Sequence, residues 1–323
     1  MFPETPSEKL QVIADAVLRL SDFYIQNPDF ETPWKERYCQ IAYRHYYLPL
    51  NYIRCRQVVE RGEKVGFFSG LHTFIDWGAG PGTASLAIAD ELKKQLKKQT
   101  LFDLSKSVMD RFSDLHGNLV NKSYLDFLDL RTAYPDKDQS CLVFSYSLTE
   151  KNALPPGWDS YEALMILEPS TSQDGRKLLQ LRETLKEEGY SLWAPCTHQL
   201  GCPLLLNSKN DWCHDRAIVS APAWFTQLEQ LLPMKNRSIT TSYLLARKKK
   251  PADRTAQARL TGDSLEEKGK TRQLVCRNDQ REFLTWMHKS IEPQTLPRGE
   301  LITLPEDLEI KSNELRLKNP ISI

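Results

Sequence analysis

A glycine-rich loop between a predicted strand and a predicted helix is the first part of the sequence that could do chemistry. Residues 74–83 read FIDWGAGPGT, which places Gly78, Gly80 and Gly82 at G-x-G-x-G spacing. Glycines permit positive φ and a close approach of ligand to backbone, and a helix N-terminus supplies N–H donors. The Lys-Ser/Thr pair of a phosphate-binding loop is absent, which disfavours ATP or GTP. Asp76 precedes the glycines, and a carboxylate there suits the cationic amino group of S-adenosylmethionine (SAM) better than a pyrophosphate.

An acidic residue at the end of the next predicted strand supports the same ligand. Asp103 follows Gly82 by 21 residues, and a carboxylate there can accept hydrogen bonds from both ribose hydroxyls, as in dinucleotide-binding folds. The alternative is a tight strand–helix turn without a ligand, which the loop and the acid together disfavour. Asp126, on a later loop, could reach an adenine amino group, but a solvated loop acid fits equally well.

The end of the fourth predicted strand shows no obvious base or nucleophile. Residues 145–150 read SYSLTE. Amino-group methyltransferases usually have Asn/Asp-Pro-Pro-aromatic there, to hold an exocyclic nitrogen. The sequence therefore identifies no catalytic residue.

The seven cysteines fall into two groups. An odd number fits poorly with a secreted disulfide framework. Three of them lie in apolar or aromatic surroundings and are expected to be buried: Cys39, Cys55 and Cys141. The other four lie in polar segments flanked by proline and glycine: Cys196, Cys202, Cys213 and Cys276. Thiolates are soft ligands for zinc and iron–sulfur clusters. The absence of a tight C-x₂₋₄-C pair fits a cubane cluster better than zinc, but spacing alone leaves unliganded thiols as an even alternative.

The order of strands and helices predicts an α/β fold with a mostly parallel, doubly wound, Rossmann-like sheet. The predicted strands are 73–77, 101–104, 142–146, 163–168, 190–194 and 243–246, and predicted helices span 83–98 and 176–188, with another ending near residue 119. Residues 1–65 are predicted to form a helical region. The Rossmann domain is expected at 66–250, with a cysteine-rich metal insertion at 195–220. Short strands at 258–262 and 271–276 predict a small β-rich appendage over 251–323.

The charge distribution is even overall and uneven locally. The 323 residues include 43 Lys and Arg against 42 Asp and Glu, and 40% are hydrophobic, as in a folded soluble protein. No apolar stretch approaches the ~20 residues that span a bilayer, so no membrane association is expected. Residues 235–281 contain 13 basic and 5 acidic side chains. Such a run is usually a solvated surface, but here it also suits a face that follows RNA phosphates.

Several motifs occur in the order seen in one family. They are Asp76–Thr83, Glu168–Thr171, Ala194–Leu204, Asp211–His214, Ser242–Leu244 and Leu274–Cys276. On these motifs the chain resembles the small-ribosomal-subunit methyltransferase-like proteins of mitochondria and bacteria, which assist assembly of the small subunit. The resemblance implies a SAM-type Rossmann domain and a [4Fe–4S] cluster bound by Cys196, Cys202, Cys213 and Cys276. Zinc is the alternative metal.

Two functions follow from the resemblance. The first is SAM-dependent methylation of small-subunit rRNA, and the second is a non-catalytic assembly factor in which SAM and the cluster are structural or sensing elements. Ser170, Ser172 and Asp215 depart from the family pattern near the expected substrate side, which affects turnover more than cofactor binding. The expected partner is the assembling small subunit and its rRNA, with no DNA. The N-terminal residues look like neither a secretory signal nor a transit peptide. We therefore expect a bacterial cytoplasmic protein, with the mitochondrial matrix as the alternative.

Overall fold

The computed structural model describes residues 2–27, 30–119, 121–125, 128–134, 136–148, 153–236 and 238–321. The chain divides into two compact units. The first unit comprises Met1–Lys64, Phe68–Glu168 and Ala217–Ile239, and the second comprises Val65–Phe67, Pro169–Arg216 and Thr240–Ile323. Residues 169–216 thus group with the C-terminal residues, and the predicted boundaries at 65 and 250 stay a prediction. No helix in the described ranges is long and apolar enough to cross a bilayer.

The N-terminal part of the first unit is helical, as its periodicity predicts. It contains α1 (Leu10–Gln26), α2 (Arg37–Ala42) and α3 (Leu48–Lys64), and the π-helical turn Tyr43–Tyr47 joins the last two. The apolar residues at helical spacing in α1 form its buried face. Two tyrosines of this region pack inward, as expected: Tyr46 stacks on Phe225, and the Tyr52 hydroxyl donates to Asp90.

The first unit contains a parallel sheet in the order β3–β2–β1–β4–β5. Its strands are β1 (Thr73–Trp77), β2 (Lys98–Phe102), β3 (Lys122–Leu125), β4 (Ser140–Ser145) and β5 (Ala163–Glu168). The helices α4 (Thr83–Glu91), α5 (Lys106–Arg111) and α8 (Ala223–Gln230) belong to the same unit. The chain runs outward from β1 in both directions, and at such a reversal the connecting loops diverge and leave a crevice. The predicted Rossmann-like α/β fold is confirmed.

The helix predicted over 83–98 and the strand predicted after it are misplaced. The helix stops at Glu91 rather than residue 98, and the strand occupies 98–102 rather than 101–104. Leu92 and Leu96 are buried at helical spacing, which continues the helical pattern beyond the true end. A search for hydrophobic residues misses the start of this strand because its first residues are polar. Gln99 and Thr100 are nevertheless fully buried, since each makes a hydrogen bond inside the protein.

The second unit combines helices and strands that lead to the cysteines with a sheet at the C-terminus. Its first elements are α6 (Ser172–Glu187), β6 (Ser191–Ala194), α7 (Pro203–Asn207), the first half of β7 (Asp215–Ile218) and most of β8 (Ser238–Arg247), and β8 pairs antiparallel with β6. A separate sheet then has the order β12–β9–β10–β11–β14–β13. Its strands are β9 (Gln257–Glu267), β10 (Lys270–Cys276), β11 (Glu282–Met287), β12 (Leu301–Thr303), β13 (Glu309–Lys311) and β14 (Glu314–Arg316). The predicted β-rich appendage is thus present, and β9 is longer than predicted because it pairs with β10 along a hairpin.

Candidate functional site

The glycine loop connects β1 to α4 in a conformation that requires its glycines. Gly78, Gly80 and Gly82 have φ values of +70°, +51° and +79°, a region that is costly for residues with a Cβ. A Cβ at Gly78 would lie 2.7 Å from the Cβ of Ser147, and one at Gly82 would lie 2.9 Å from a methyl of Leu101. The loop therefore has little room for side chains at these two positions, and it presents backbone to the cavity beside it.

Asp103 ties this loop to the end of β2. One carboxylate oxygen accepts a hydrogen bond from the backbone N–H of Gly80 and the other from that of Ser105, both at 2.8 Å. Two N–H groups of the loop also donate to the carbonyl of Phe102, both at 2.9 Å. Asp103 lines the cavity next to the glycines. The structure thus brings together at one cavity three of the residues that the sequence predicts to bind the cofactor, Gly78, Gly80 and Asp103, whereas Gly82 is not part of the lining.

The wall that the sequence analysis missed comes from the N-terminal helical region. Trp34 and Tyr43 line the same cavity as the glycines, and their ring centroids are 4.5 Å apart. A Cβ at Gly80 would lie 3.3 Å from the Trp34 ring. No local pattern marks these two aromatic residues, because their contact with the loop joins segments far apart in the chain.

A further wall follows β4. Tyr146 and Ser147 line the cavity, and Tyr146 has a φ of +60°. Burial raises the pKa of the Tyr146 phenol well above its ordinary value, so the group stays neutral. The Ser147 hydroxyl is buried without a hydrogen-bond partner among the described residues. This wall therefore offers neutral polar groups to a ligand. Thr149 and Glu150 lie outside the described residues.

His116 supports the glycine loop from the protein interior. Its Nε2 donates to the carbonyl of Pro81 at 2.9 Å, and its Nδ1 lies 2.7 Å from the hydroxyl of Tyr124. Burial lowers the pKa of this imidazole, so the neutral form with Nδ1 as acceptor from Tyr124 satisfies both contacts. The sequence analysis did not single out His116, which lies within a turn of 3₁₀ helix without a distinguishing pattern.

Asp76 lies beneath the loop and anchors α4. The side chain is 1% exposed, and one oxygen accepts hydrogen bonds from the backbone N–H and the hydroxyl of Ser85 at 3.2 and 2.7 Å. Its other oxygen has no partner among the described residues. Asp76 does not line the cavity, so its contact with the amino group of SAM stays a prediction. Asp126, the last predicted cofactor residue, lies outside the described residues.

The burial of Asp76 predicts a pH dependence of stability. Burial raises the pKa of its carboxyl from 3.8 to about 6, so between these values the folded state binds more protons than the unfolded state. The free energy of unfolding should therefore fall as the pH rises from 4 to 6, by on the order of 2–3 kcal/mol. Asp76→Asn should remove most of this fall and make the protein more stable than wild type at neutral pH.

Urea unfolding measured across this pH range tests the expectation. Asp138→Asn, at an exposed carboxylate of the same unit, is the control and should leave the profile as in wild type. An Asp76→Asn profile that matches wild type would show that Asp76 is not the group responsible. SAM titration of the same variant shows whether the carboxylate also contacts the cofactor.

The four polar-segment cysteines converge in the second unit. Cys196 follows β6, Cys202 precedes α7, Cys213 precedes β7 and Cys276 ends β10, and all four line one small cavity. Cys202 is 7% exposed and packs among Leu179, Leu204 and Leu274. The remaining three cysteines of the chain are fully buried, as expected.

Two buried arginines donate to sulfur atoms of this cavity. Arg182 is fully buried on α6, and its Nε donates to the Sγ of Cys196 at 3.2 Å. A further N–H of the same guanidinium donates to the carbonyl of Leu200 at 2.7 Å, which holds the loop between the first two cysteines. Arg259 on β9 donates to the Sγ of Cys213 at 2.9 Å. Each guanidinium thus holds one of the four cysteines through a hydrogen bond to its sulfur.

The position of Arg182 on its helix indicates in the sequence that this arginine is buried. Arg182 lies on α6 with Leu178, Leu179 and Leu185, at the spacing of the buried face. A cation on the apolar stripe of an amphipathic helix needs a buried acceptor, and here those acceptors belong to the cysteine loop. For Arg259, which lies within a strand, no sequence pattern indicates a contact with the cysteines.

Burial keeps two of the four thiols, Cys202 and Cys276, protonated in the absence of a ligand. Burial raises the pKa of Cys202 to about 11 and that of Cys276 well above its ordinary value. His198 Nε2 lies 3.3 Å from the Sγ of Cys276. Among the described residues, no group of three or more His, Cys, Asp or Glu side chains has the geometry to hold a metal ion. The metal role of the four cysteines therefore stays a prediction.

The parallel sheet, its glycine loop and the acid at the end of β2 define a Rossmann-like α/β protein with a ligand crevice at the reversal of strand order. Residues 37–290 match the family described as mitochondrial small ribosomal subunit Rsm22. This chain belongs to that family. No curated protein sequence shows significant similarity to it.

Solved structures similar to the chain include three methyltransferases by name. A putative RNA methyltransferase from Pyrococcus horikoshii is 14% identical with a TM-score of 0.38, over 75% of this chain and 96% of that one. Magnesium protoporphyrin IX methyltransferase from Synechocystis PCC 6803, with bound SAH, is 11% identical with a TM-score of 0.33, over 73% and 100%. Ribosomal protein L11 methylase from Lactobacillus delbrueckii subsp. bulgaricus is 12% identical with a TM-score of 0.31, over 59% and 77%.

Proposed function

We propose that this protein binds SAM at the glycine loop and methylates the RNA of the small ribosomal subunit during ribosome biogenesis. The observation that carries the proposal is the crevice after β1 and β2, where Gly78 and Gly80, both with positive φ, and Asp103 line one cavity. Membership of a family named for the small ribosomal subunit supports the ribosomal target. The mitochondrial family name favours the matrix over the bacterial cytoplasm as the location.

The residues of the crevice suit a nucleoside with a charged tail. In the proposal, Asp103 accepts hydrogen bonds from the ribose hydroxyls, and the loop lets the ligand approach the backbone closely. Trp34 and Tyr43 cover an apolar part of the ligand and exclude water. Transfer of a methyl group from a sulfonium to an RNA nitrogen or oxygen needs the two reacting atoms held in line. In the transfer the sulfonium leaves as the neutral thioether of S-adenosylhomocysteine and the proton of the RNA acceptor passes to solvent, so positioning by these residues requires no covalent protein intermediate.

Asp103→Ala tests the cofactor half of the proposal. The substitution removes the carboxylate that holds the loop N–H of Gly80 and, in the proposal, the ribose. Loss of hydrogen bonds to a charged group should weaken SAM binding at least about tenfold, measured by isothermal titration. Asp138→Asn, at an exposed acid of the same unit, should bind SAM like wild type. Equal affinity for Asp103→Ala and wild type would refute the assignment of this site.

A map of rRNA modifications separates the enzyme from its alternative. Cells that lack the protein should lose one methyl mark on small-subunit RNA, which the wild-type gene restores and the Asp103→Ala gene does not. The alternative is a non-catalytic assembly factor that binds rRNA, with SAM and a metal cofactor as structural or sensing elements. An unchanged map together with defective assembly of the small subunit would favour that alternative.

We also propose that Cys196, Cys202, Cys213 and Cys276 hold a [4Fe–4S] cluster, with zinc as the alternative. What supports this proposal is that four thiols line one cavity and that two guanidiniums donate to two of the sulfurs. Each of these arginines also pairs with a carboxylate, Arg182 with Glu183 and Arg259 with Asp215, so their role beside a bound cluster would be to donate hydrogen bonds to the ligating sulfurs. When bound, the cluster would join the segments after β6, before α7, before β7 and at the end of β10, and its binding energy would contribute to folding. No DNA or membrane partner is proposed.

A further inference from the structure

A second, larger cavity lies beside the cysteines in the second unit. It has a volume of about 590 Å³, within the range of ligand-binding pockets. Its lining includes three arginines and two exposed or half-buried aromatic rings: Arg216, Arg281, Arg298, Trp212 and Phe283. Strands β9, β10 and β11 contribute to its wall. The proposed cofactor sites use none of these five residues.

The arginines of this cavity are held by partners that a stronger anion can replace. Arg216 pairs with Asp263 and Arg281 with Asp211, each at 2.9 Å, and the four side chains are between 39% and 53% exposed. Exposed ion pairs of this kind contribute little to stability. A phosphate, with three or more acceptor oxygens, makes bidentate contacts with guanidinium that are among the strongest hydrogen bonds in proteins.

One guanidinium has a donor that no group of the described chain satisfies. The Nε of Arg281 is buried and lacks a hydrogen-bond partner among the described residues. Arg298, by contrast, donates from its Nε to the carbonyl of His214 at 3.0 Å and is therefore fixed in place. The cavity thus combines one anchored cation with two that are loosely paired. Such an arrangement suits an incoming anion better than it suits a purely structural network.

Aromatic rings lie beside these charges. The ring centroids of Trp212 and His214 are 5.2 Å apart, with an interplanar angle of 33°. The guanidinium of Arg272 lies over the ring of Phe283. Bases of single-stranded RNA stack on aromatic side chains and on guanidinium planes, while the backbone contacts arginine. Charge and aromatic surface in one cavity of this size therefore fit a nucleotide better than an inorganic ion.

We propose that this cavity binds a nucleotide of single-stranded RNA, with one phosphodiester on each of Arg216 and Arg281 and a base near Trp212. The inference rests on the proposed function, and it identifies the RNA contact of the second unit. Trp212 and His214 flank Cys213, so the segment that lines the RNA cavity also carries a proposed cluster ligand.

The test is the double variant Arg216→Ala/Arg281→Ala, titrated with a short fluorescent single-stranded RNA at several salt concentrations. Each lost phosphate contact should reduce the magnitude of the slope of log affinity against log salt concentration by about 0.7. The slope of the double variant should therefore be smaller than that of wild type by about 1.4. Its affinity at low salt should fall at least about tenfold. Lys311→Ala/Lys318→Ala removes the same charge from exposed positions outside the cavity and should change the slope much less.

The outcomes separate the inference from the proposed function. If wild type binds RNA and the double variant keeps both affinity and slope, the cavity is not the RNA site and the proposed function stands. If wild type does not bind RNA even at low salt, the RNA part of the proposed function is wrong. If a polyglutamate peptide binds as tightly as RNA and loses the same affinity in the double variant, an acidic protein is the occupant. Arg216→Gln, expected to lose about 0.7 in slope, serves if the double variant unfolds.

Discussion

Gly78→Ala is expected to abolish measurable SAM binding and to destabilise the first unit. The new Cβ would lie 2.7 Å from the Cβ of Ser147, a distance that two carbon atoms cannot adopt without a shift of the backbone. Both the loop after β1 and the segment after β4 line the cavity, so whichever of them moves, the cavity changes shape. Alanine at a φ of +70° adds about 1–2 kcal/mol of backbone strain.

The matched control for this experiment is Gly70→Ala. Gly70 has a φ of +78°, but a Cβ there meets no atom within 4 Å, and the residue does not line the cavity. Gly70→Ala should therefore cause the same backbone strain as Gly78→Ala without the steric contact with Ser147. SAM affinity by titration and the unfolding midpoint should be measured for both variants. Similar losses in the two would mean that the steric contact with Ser147 plays no part, and the cavity would then not be the SAM site.

The strands that sequence patterns located are those buried on both faces. Thr73–Trp77 and Ala163–Glu168 have the predicted bounds, because most of their side chains are apolar and turn residues flank them. β2 is the informative error. Its first residues are polar, and they are buried only because Gln99 and Thr100 find hydrogen-bond partners on neighbouring elements. Such partners depend on tertiary structure and leave no trace in local hydrophobicity.

In the candidate sites, too, the residues that follow a local sequence pattern were predicted, and those placed by tertiary contacts were missed. The glycine loop and Asp103 were predictable because each has a fixed relation to a strand end, and the structure places them at one cavity. Trp34 and Tyr43 were not predictable, because they belong to the N-terminal helical region and contact the loop only in the folded protein. In the second unit the four cysteines were identified by residue type alone. The arginines that contact them were missed, although a buried Arg182 on an apolar helix face could have been noticed.

Cys202→Ser carries the second large expected effect, which concerns the proposed cluster. Protein purified without oxygen should be brown, with absorbance near ~400 nm from sulfur-to-iron charge transfer. In Cys202→Ser this absorbance should be lost. Cys202 lies at the start of α7 among Leu179, Leu204 and Leu274, and without metal its pKa of about 11 keeps the thiol neutral. A serine oxygen is a poor ligand for iron in place of a thiolate.

The same variant should also be markedly less stable than wild type, because the binding energy of a structural metal site is folding energy. Cys39→Ser is the control: Cys39 is equally buried, but it lies on α2 of the first unit. It should lose some stability from the polar replacement and keep the full absorbance. Iron, sulfide and zinc contents and the thermal midpoint are measured for both proteins. A colourless wild type with one zinc ion per chain would assign the four cysteines to zinc, and a wild type without metal would leave them as thiols held by Arg182 and Arg259.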